Sequence, residues 1–266
     1  MKRSERIAVI TKHLVEHPGH LFSLSYFADL LGAAKSTISE DLTLIKETWR
    51  RQGWGELKTV PGAAGGVKYL PRIAGEERKA FLQALAARLQ DPERILPGGF
   101  LYISDLIGDP AVTGPLGKIF ATLLAAETDY VVTVATKGIP LAMATAQALH
   151  RPAVIIRDDS KVTEGSSVSL NYLSGSRTIR TMSLSRRALP RGARVLFIDD
   201  FMKAGSTAQA VVKLMEEFGA RVVGAGFLIA TAWPKEKLIR DYVALLSLEE
   251  VDEHRGRVVV RPHAAL

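Results

Sequence analysis

Ile7, Ile10 and Leu14 recur at the three-to-four-residue spacing of a helix, and the run stops at His17-Pro18-Gly19-His20. Ser25–Leu31 reads as a short second helix with Ser25 as its cap, and Gly32 ends it. After the turn Ala33-Ala34-Lys35-Ser36, a longer helix carries Ile38, Leu42, Ile45 and Trp49 on one apolar stripe. Glu56–Val60 and Val67–Leu70 then read as two strands around the Gly-rich tip Pro61–Gly66. Two helices joined by a tight Gly-containing turn and followed by such a ribbon have the form of a winged helix-turn-helix.

Pro71–Gly75 reads as a linker, and a helix over Glu76–Leu89 opens a second block. From there the pattern alternates. Tyr130–Ala135, Ala153–Arg157, Val195–Ile198 and Val222–Ala230 are buried-strand runs, and Ile139–Leu149 and Ala208–Phe218 are helical. That order predicts a mostly parallel sheet covered on both faces. Val162–Leu184 alternates around Ser174-Gly175-Ser176 and predicts a β-hairpin standing off the sheet. The expected boundaries are residues 1–72 for the first domain and 73–266 for the second, an α/β architecture overall.

Composition narrows the field. There is no cysteine, so disulfides and thiolate metal sites are excluded. Met1–Arg6 is mostly polar and charged, and the longest apolar stretch, around Val222–Trp233, is too short to span a bilayer. The expectation is a cytoplasmic protein with no membrane partner. The net charge is +7, and residues 1–72 hold 11 Lys+Arg against 7 Asp+Glu, an excess of +4 in the smaller block. Excess positive charge favours polyanions. Lys35, Ser36, Thr37 and Ser39 sit at the start of the third helix, where they can reach base edges and phosphates, and Lys58 and Lys68 lie on the ribbon. These six are the candidate DNA-binding residues. A small helical cap or dimerisation element is the plainer reading of this block.

In the second block, Val195–Ile198 delivers Asp199-Asp200 to the strand's C-terminal edge, and Lys203-Ala204-Gly205-Ser206-Thr207 leads into a helix. Ligands of open α/β sheets bind at that edge. Loop amides and the helix N-terminus make an anion site, to which Ser206 and Thr207 add hydroxyl donors. Two carboxylates repel phosphate, so they need another task, and ribose hydroxyls, met directly or through Mg²⁺, fit it. No Gly-x-x-x-x-Gly-Lys-Ser/Thr loop occurs. Lys203 is suited to gripping phosphate as a point charge and not to proton transfer.

This segment resembles the phosphoribosyl pyrophosphate motif of type I phosphoribosyltransferases, an ordinary strand–loop–helix connection being the plainer alternative. In that family the turn matching Thr136, Lys137 and Gly138 holds pyrophosphate through backbone amides, and Lys161 falls at the start of a mobile hood. The likeness becomes closer along the whole chain. The helix-turn-helix block, Thr59–Tyr69, Asp91–Gly99, Lys161–Ser166 and Asp199–Gly205 are similar, in the same order, to the purine operon repressors of Gram-positive bacteria. The resemblance implies a winged-helix domain before a phosphoribosyltransferase-like domain with a β-hairpin hood that binds ligand without catalysing transfer. It also implies a homodimer on double-stranded DNA at purine-gene control sites. Phosphoribosyl pyrophosphate (PRPP), with or without Mg²⁺, is then the effector that lowers DNA affinity, and guanosine tetraphosphate (ppGpp) competes with it. The effector set is Asp199, Asp200, Phe201, Met202, Lys203, Ala204, Gly205, Ser206 and Thr207, with Thr136, Lys137, Gly138, Lys161 and Tyr102. No residue is assigned catalysis, and no cofactor or resident metal is required. An active purine phosphoribosyltransferase with an accessory N-terminal domain is the alternative, and a non-DNA adaptor is a third reading. Apolar residues near Leu82–Leu89 are the candidate dimer surface.

Overall fold

The computed structural model describes residues 1–62, 65–73, 75–124, 127–158, 165–174 and 178–264. The chain divides into two compact units, the first formed by residues 1–74 with a short later segment, the second beginning at Gly75.

In the first unit, α1 (Arg3–Glu16), α2 (Leu24–Leu31) and α3 (Lys35–Gln52) precede an antiparallel ribbon, β1 (Glu56–Val60) and β2 (Gly66–Leu70). The cap of α2 is Ser23, whose Oγ accepts from the Tyr26 N–H, so the helix starts before the expected Ser25. Gly32 ends α2 at φ 57°, a conformation that costs a residue with a Cβ, and α3 starts at once on Lys35. Ile10, Leu14, Phe27, Ile38, Ile45 and Trp49 pack with Leu57, Val67 and Tyr69 of the ribbon into one core. Phe22 pairs with Val67 through hydrogen bonds of 2.9 and 2.8 Å. A Cβ on Gly66 would stand 2.1 Å from the Phe22 carbonyl oxygen, so that pairing requires glycine at the start of β2. Asp41 of α3 is fully buried, and Arg3 and Arg6 hold its two oxygens at 3.0 and 2.8 Å.

The second unit opens with α4 (Gly75–Leu89), a two-residue ladder of β3 (Ile95–Leu96) and β4 (Phe100–Leu101), the short α5 (Ser104–Ile107) and α6 (Pro110–Leu123). Its sheet is built from β5 (Tyr130–Val134), β6 (Ala153–Ile156), β9 (Arg194–Met202), β10 (Arg221–Thr231), β11 (Val243–Asp252) and β12 (Arg257–Pro262). Between β6 and β9 lies the separate hairpin β7 (Ser167–Leu173) and β8 (Ile179–Ser185), and α7 (Ile139–Leu149) and α8 (Ser206–Glu217) complete the unit. The strand order is β12-β11-β10-β9-β5-β6, parallel except for β12. Leu82, Leu85 and Leu89 are buried on α4, which packs on β11 and β12. The stretch expected as a dimer surface is thus spent within the unit.

Alternate side chains of β9 serve two layers. Val195 and Phe197 join the core beneath α8 and the hairpin, while Leu196 and Ile198 face α6. A Cβ on Gly117 of α6 would lie 2.5 Å from the Ala144 backbone, so that glycine allows α6 and α7 to cross at close range. Helix α6 was not among the expected elements, and Pro110, Gly114, Pro115 and Gly117 all have low helix propensity. Pro110 sits in the first turn, where a missing N–H costs nothing, and the Asp109 side chain accepts from the Ala111 N–H.

Candidate functional site

From β5 the chain passes to β6 on one side, then to β9 on the other. The connection reverses there, and open α/β sheets bind ligands outside such a switch point. β9 pairs with β5 only through Phe197, but it stays paired with β10 as far as Met202. The strand therefore does not stop at Ile198 as expected. It carries the aspartates within it, with one edge free where β5 has turned away.

A cleft of about 470 Å³ opens at this end. Asp199, Phe201, Met202 and Lys203 line it, followed by Ala204, Gly205, Ser206 and Thr207. Gly205 holds φ 89° as the N-cap of α8, turning the backbone so that the helix N-terminus faces the cleft. Phe100, Tyr172, Ser174 and Arg180 close the opposite side. None of these four was expected. Tyr172 and Arg180 are register partners on the hairpin, and that alternation was the one signal that could have shown both facing inward.

The two aspartates are not equivalent. Asp199 lines the cleft and is buried, whereas Asp200 is not among the lining residues. One Asp199 oxygen accepts from the Asp200 N–H at 3.0 Å. The same oxygen lies against Gly138, where a Cβ would stand only 2.3 Å away. Burial, reinforced by the Asp200 charge, pushes the Asp199 carboxyl well above the ordinary carboxylate range. Burial also raises Asp200, but Asp199 and the Lys137 ammonium pull it back down. Thr136, Lys137 and Gly138 thus form the flank beside the aspartates and do not line the cleft; the peptide between Ala135 and Thr136 is cis. Tyr102 is likewise outside the lining. It is exposed, its N–H donates to the Arg94 carbonyl, and Phe100 of the same segment reaches the cleft in its place. Lys161 lies outside the described residues, as do the first residues of the expected hairpin and its Gly175-Ser176 tip.

In the first unit a groove of about 520 Å³ runs between α3 and the ribbon. Lys35, Ser39, Thr43 and Lys46 project into it from successive turns of α3, opposite Thr59 and Pro61. Lys35 and Ser39 were expected; Thr43 and Lys46 continue their spacing and were missed. Ser36 is exposed beside the groove, and Thr37 is half-buried there. Lys58 and Lys68 are direct partners in the ribbon register, on the face opposite the buried Leu57–Tyr69 pair. Like charges in register repel unless an anion lies across them.

A helix N-terminus with hydroxyl and ammonium groups beside a ribbon can hold a phosphate backbone, and the cleft can hold a phosphorylated ribose. Fold and site together define a winged-helix transcription regulator carrying a phosphoribosyltransferase-type domain. Residues 2–71 match the family model of the bacterial purine repressor N-terminal region, and residues 109–262 match that of the phosphoribosyl transferase domain. The purine biosynthesis transcriptional repressor PurR of Bacillus subtilis (strain 168) is 50% identical over 253 residues, spanning 94% of this chain and 89% of the relative. The purine biosynthesis transcriptional activator PurR of Lactococcus lactis (strain IL1403) is 40% identical over 254 residues, 95% of this chain and 94% of the relative. The adenine phosphoribosyltransferase of Thermoanaerobacter pseudethanolicus superposes with a TM-score of 0.53 at 20% identity, over 62% of this chain and 98% of the enzyme, a likeness of fold. The chain belongs to the bacterial purine repressor family, and the relatives that match it from end to end are named regulators, not enzymes. Among the described residues no helix is long and apolar enough to cross a membrane.

Proposed function

We propose that the protein represses purine biosynthesis genes and is released from their control DNA by PRPP bound in the cleft at Asp199–Thr207. The observation that carries this reading is the junction of β9 and α8. Two carboxylates there precede a turn whose amides, hydroxyls and Lys203 suit a phosphate, as a phosphorylated ribose requires. The carboxyl groups of Asp199 and Asp200 meet the ribose hydroxyls by hydrogen bonds. Among the described residues no three His, Asp or Glu side chains are grouped to hold a metal, so Mg²⁺ would arrive on the pyrophosphate of the ligand and meet Asp200 beside it. Guanosine tetraphosphate carries phosphates and a ribose too, and it competes for the same cleft.

DNA binds the groove of Lys35, Ser39, Thr43 and Lys46, and two copies of the chain act as a homodimer on paired half-sites. PRPP lowers DNA affinity because it binds the DNA-free conformation more tightly. A coupling of roughly 1–3 kcal/mol is typical of such linkage. The test is a titration of purine-gene control DNA with and without PRPP. The expected result is weaker binding with PRPP, restored by ppGpp; a DNA isotherm indifferent to PRPP refutes the reading.

A further inference from the structure

Beyond the cleft lining, the turn at Lys203-Ala204-Gly205 is gripped from behind. The Lys237 ammonium donates to the Lys203 carbonyl at 2.6 Å, to the Thr231 carbonyl at 2.7 Å and to Thr231 Oγ1 at 3.2 Å. Its three protons are thus engaged by neutral oxygens, and among the described residues no carboxylate is a partner. The Thr231 hydroxyl gives its own proton to the Trp233 carbonyl at 2.6 Å. One residue on, the Leu238 N–H donates to the Ala204 carbonyl at 2.9 Å. Gly205 completes the turn at φ 89°, a conformation that side chains with a Cβ rarely adopt.

Peptide geometry gives this arrangement a consequence. The bonds from Lys203 to Ala204 and from Ala204 to Gly205 are trans, so each N–H points opposite to the carbonyl of its own plane. Both carbonyls are drawn toward Lys237 and Leu238, neither of which lines the cleft. The Ala204 and Gly205 N–H groups therefore face the cleft, and among the described residues neither has an acceptor. A cation is the stronger holder of a carbonyl in a half-exposed turn, since charge-assisted hydrogen bonds are roughly twice as strong as neutral ones.

We propose that Lys237 is a positioning residue of the effector site: it touches no ligand, but it fixes the Lys203–Gly205 turn with its amides toward the phosphate. This rests on the cleft being a phosphate site, as proposed above. Burial lowers the Lys237 pKa, and donation to the surrounding oxygens works against that shift.

The test is calorimetric binding of ribose 5-phosphate, inorganic pyrophosphate and PRPP to the full chain as wild type, Lys237→Met, Lys237→Arg and Thr231→Val. Lys237→Met is expected to weaken ribose 5-phosphate and PRPP by about tenfold or more, the loss of one or two oriented amides, with pyrophosphate within about twofold of wild type. Lys237→Arg restores most of the loss, because a guanidinium still reaches two carbonyl oxygens. Thr231→Val, which keeps the shape and removes one anchor of the ammonium, falls between. Circular dichroism and thermal unfolding like those of wild type report that the variants are folded. The inference is overturned if Lys237→Met binds ribose 5-phosphate like wild type, if it loses pyrophosphate equally, or if Lys237→Arg restores nothing. Should Lys237→Met not fold, Thr231→Val alone decides, and unchanged affinity there overturns it. Failure of wild type to bind either sugar phosphate instead removes the effector reading, and the role of Lys237 with it.

Discussion

Among the described residues each unit buries one aspartate, and the two are treated in opposite ways. Asp41 in the winged helix is held by two guanidinium groups, one on each oxygen, at 3.0 and 2.8 Å. Asp199 in the larger unit meets a backbone N–H, the edge of a glycine and a second carboxylate, and among the described residues no cation pairs with it. A charge buried for architecture is matched, because an unmatched one costs several kcal/mol. Asp199 has no such match, and its pKa rises instead. The contrast separates a carboxylate matched within the fold from one whose surroundings leave it open to a ligand.

Breaking the structural member has the largest effect. Asp41→Ala leaves Arg6, itself largely buried, without its partner. The first unit should lose about 3 kcal/mol, read from urea denaturation by the fluorescence of Trp49 and Trp54. A loss under about 1 kcal/mol would make the two aspartates alike and end the comparison.

Gly138→Ala comes next, on the functional side. Its Cβ would stand 2.3 Å from both Asp199 Oδ1 and Thr133 Oγ1. The aspartate must move, so PRPP affinity should fall by about 100-fold, close to 3 kcal/mol, while ligand-free DNA binding persists. Calorimetry on one side and a gel shift on the other measure the two halves.

Asp199→Asn sharpens the comparison through its sign, since it should stabilise the fold while abolishing the PRPP response. The folded-state pKa of Asp199 lies above its unfolded value, so the folded state holds the proton more readily. The contribution of this group is fully present below the unfolded pKa of about 4 and is lost as pH rises through the folded one. Wild type should therefore weaken relative to Asp199→Asn as pH climbs from about 4 toward neutrality. At pH 7 the variant should be the more stable of the two. Denaturation midpoints of both proteins across that range decide it, and a difference independent of pH removes the functional reading of the burial.

The smallest effect concerns the groove. Lys46→Ala should weaken DNA binding uniformly across sequences and reduce the slope of log affinity against log salt by about 1. Lys58→Ala, on the far face of the ribbon, should change it less. The reverse order would mean that DNA lies across the ribbon's outer face.

Much of this was legible in the chain. The stripe of Ile38, Leu42, Ile45 and Trp49 predicted α3, and hydrophobic run, carboxylates and small-residue turn predicted the cleft at β9–α8. Both depend on neighbours a few residues apart, where spacing translates directly into a shared face. Helix α6 was hidden because Gly117 answers to α7 and Pro110 to a first-turn position, while Pro115 lies inside the helix against its local propensity. The end of β9 was misjudged because β10 continues the ladder past Ile198, a partnership no local pattern reports. Tyr102 was placed in the site and Phe100 was not, because β4 ends at Leu101 and the chain leaves the ladder before Tyr102, which no local pattern reports.

The order of apolar and polar residues by itself determined a helix-turn-helix with a ribbon, an alternating α/β block, and a carboxylate pair leading into an anion-binding turn. Those are short-range consequences of helix and strand periodicity. Only the tertiary structure decided that Asp199 faces the cleft while Asp200 stands toward Lys137, and that the hairpin brings Arg180 opposite the turn. It also decided that Lys237 holds Lys203 from behind, 34 positions away along the chain. These depend on which strands become neighbours and where β5 parts from β9, and such long-range pairings are settled by packing the whole unit.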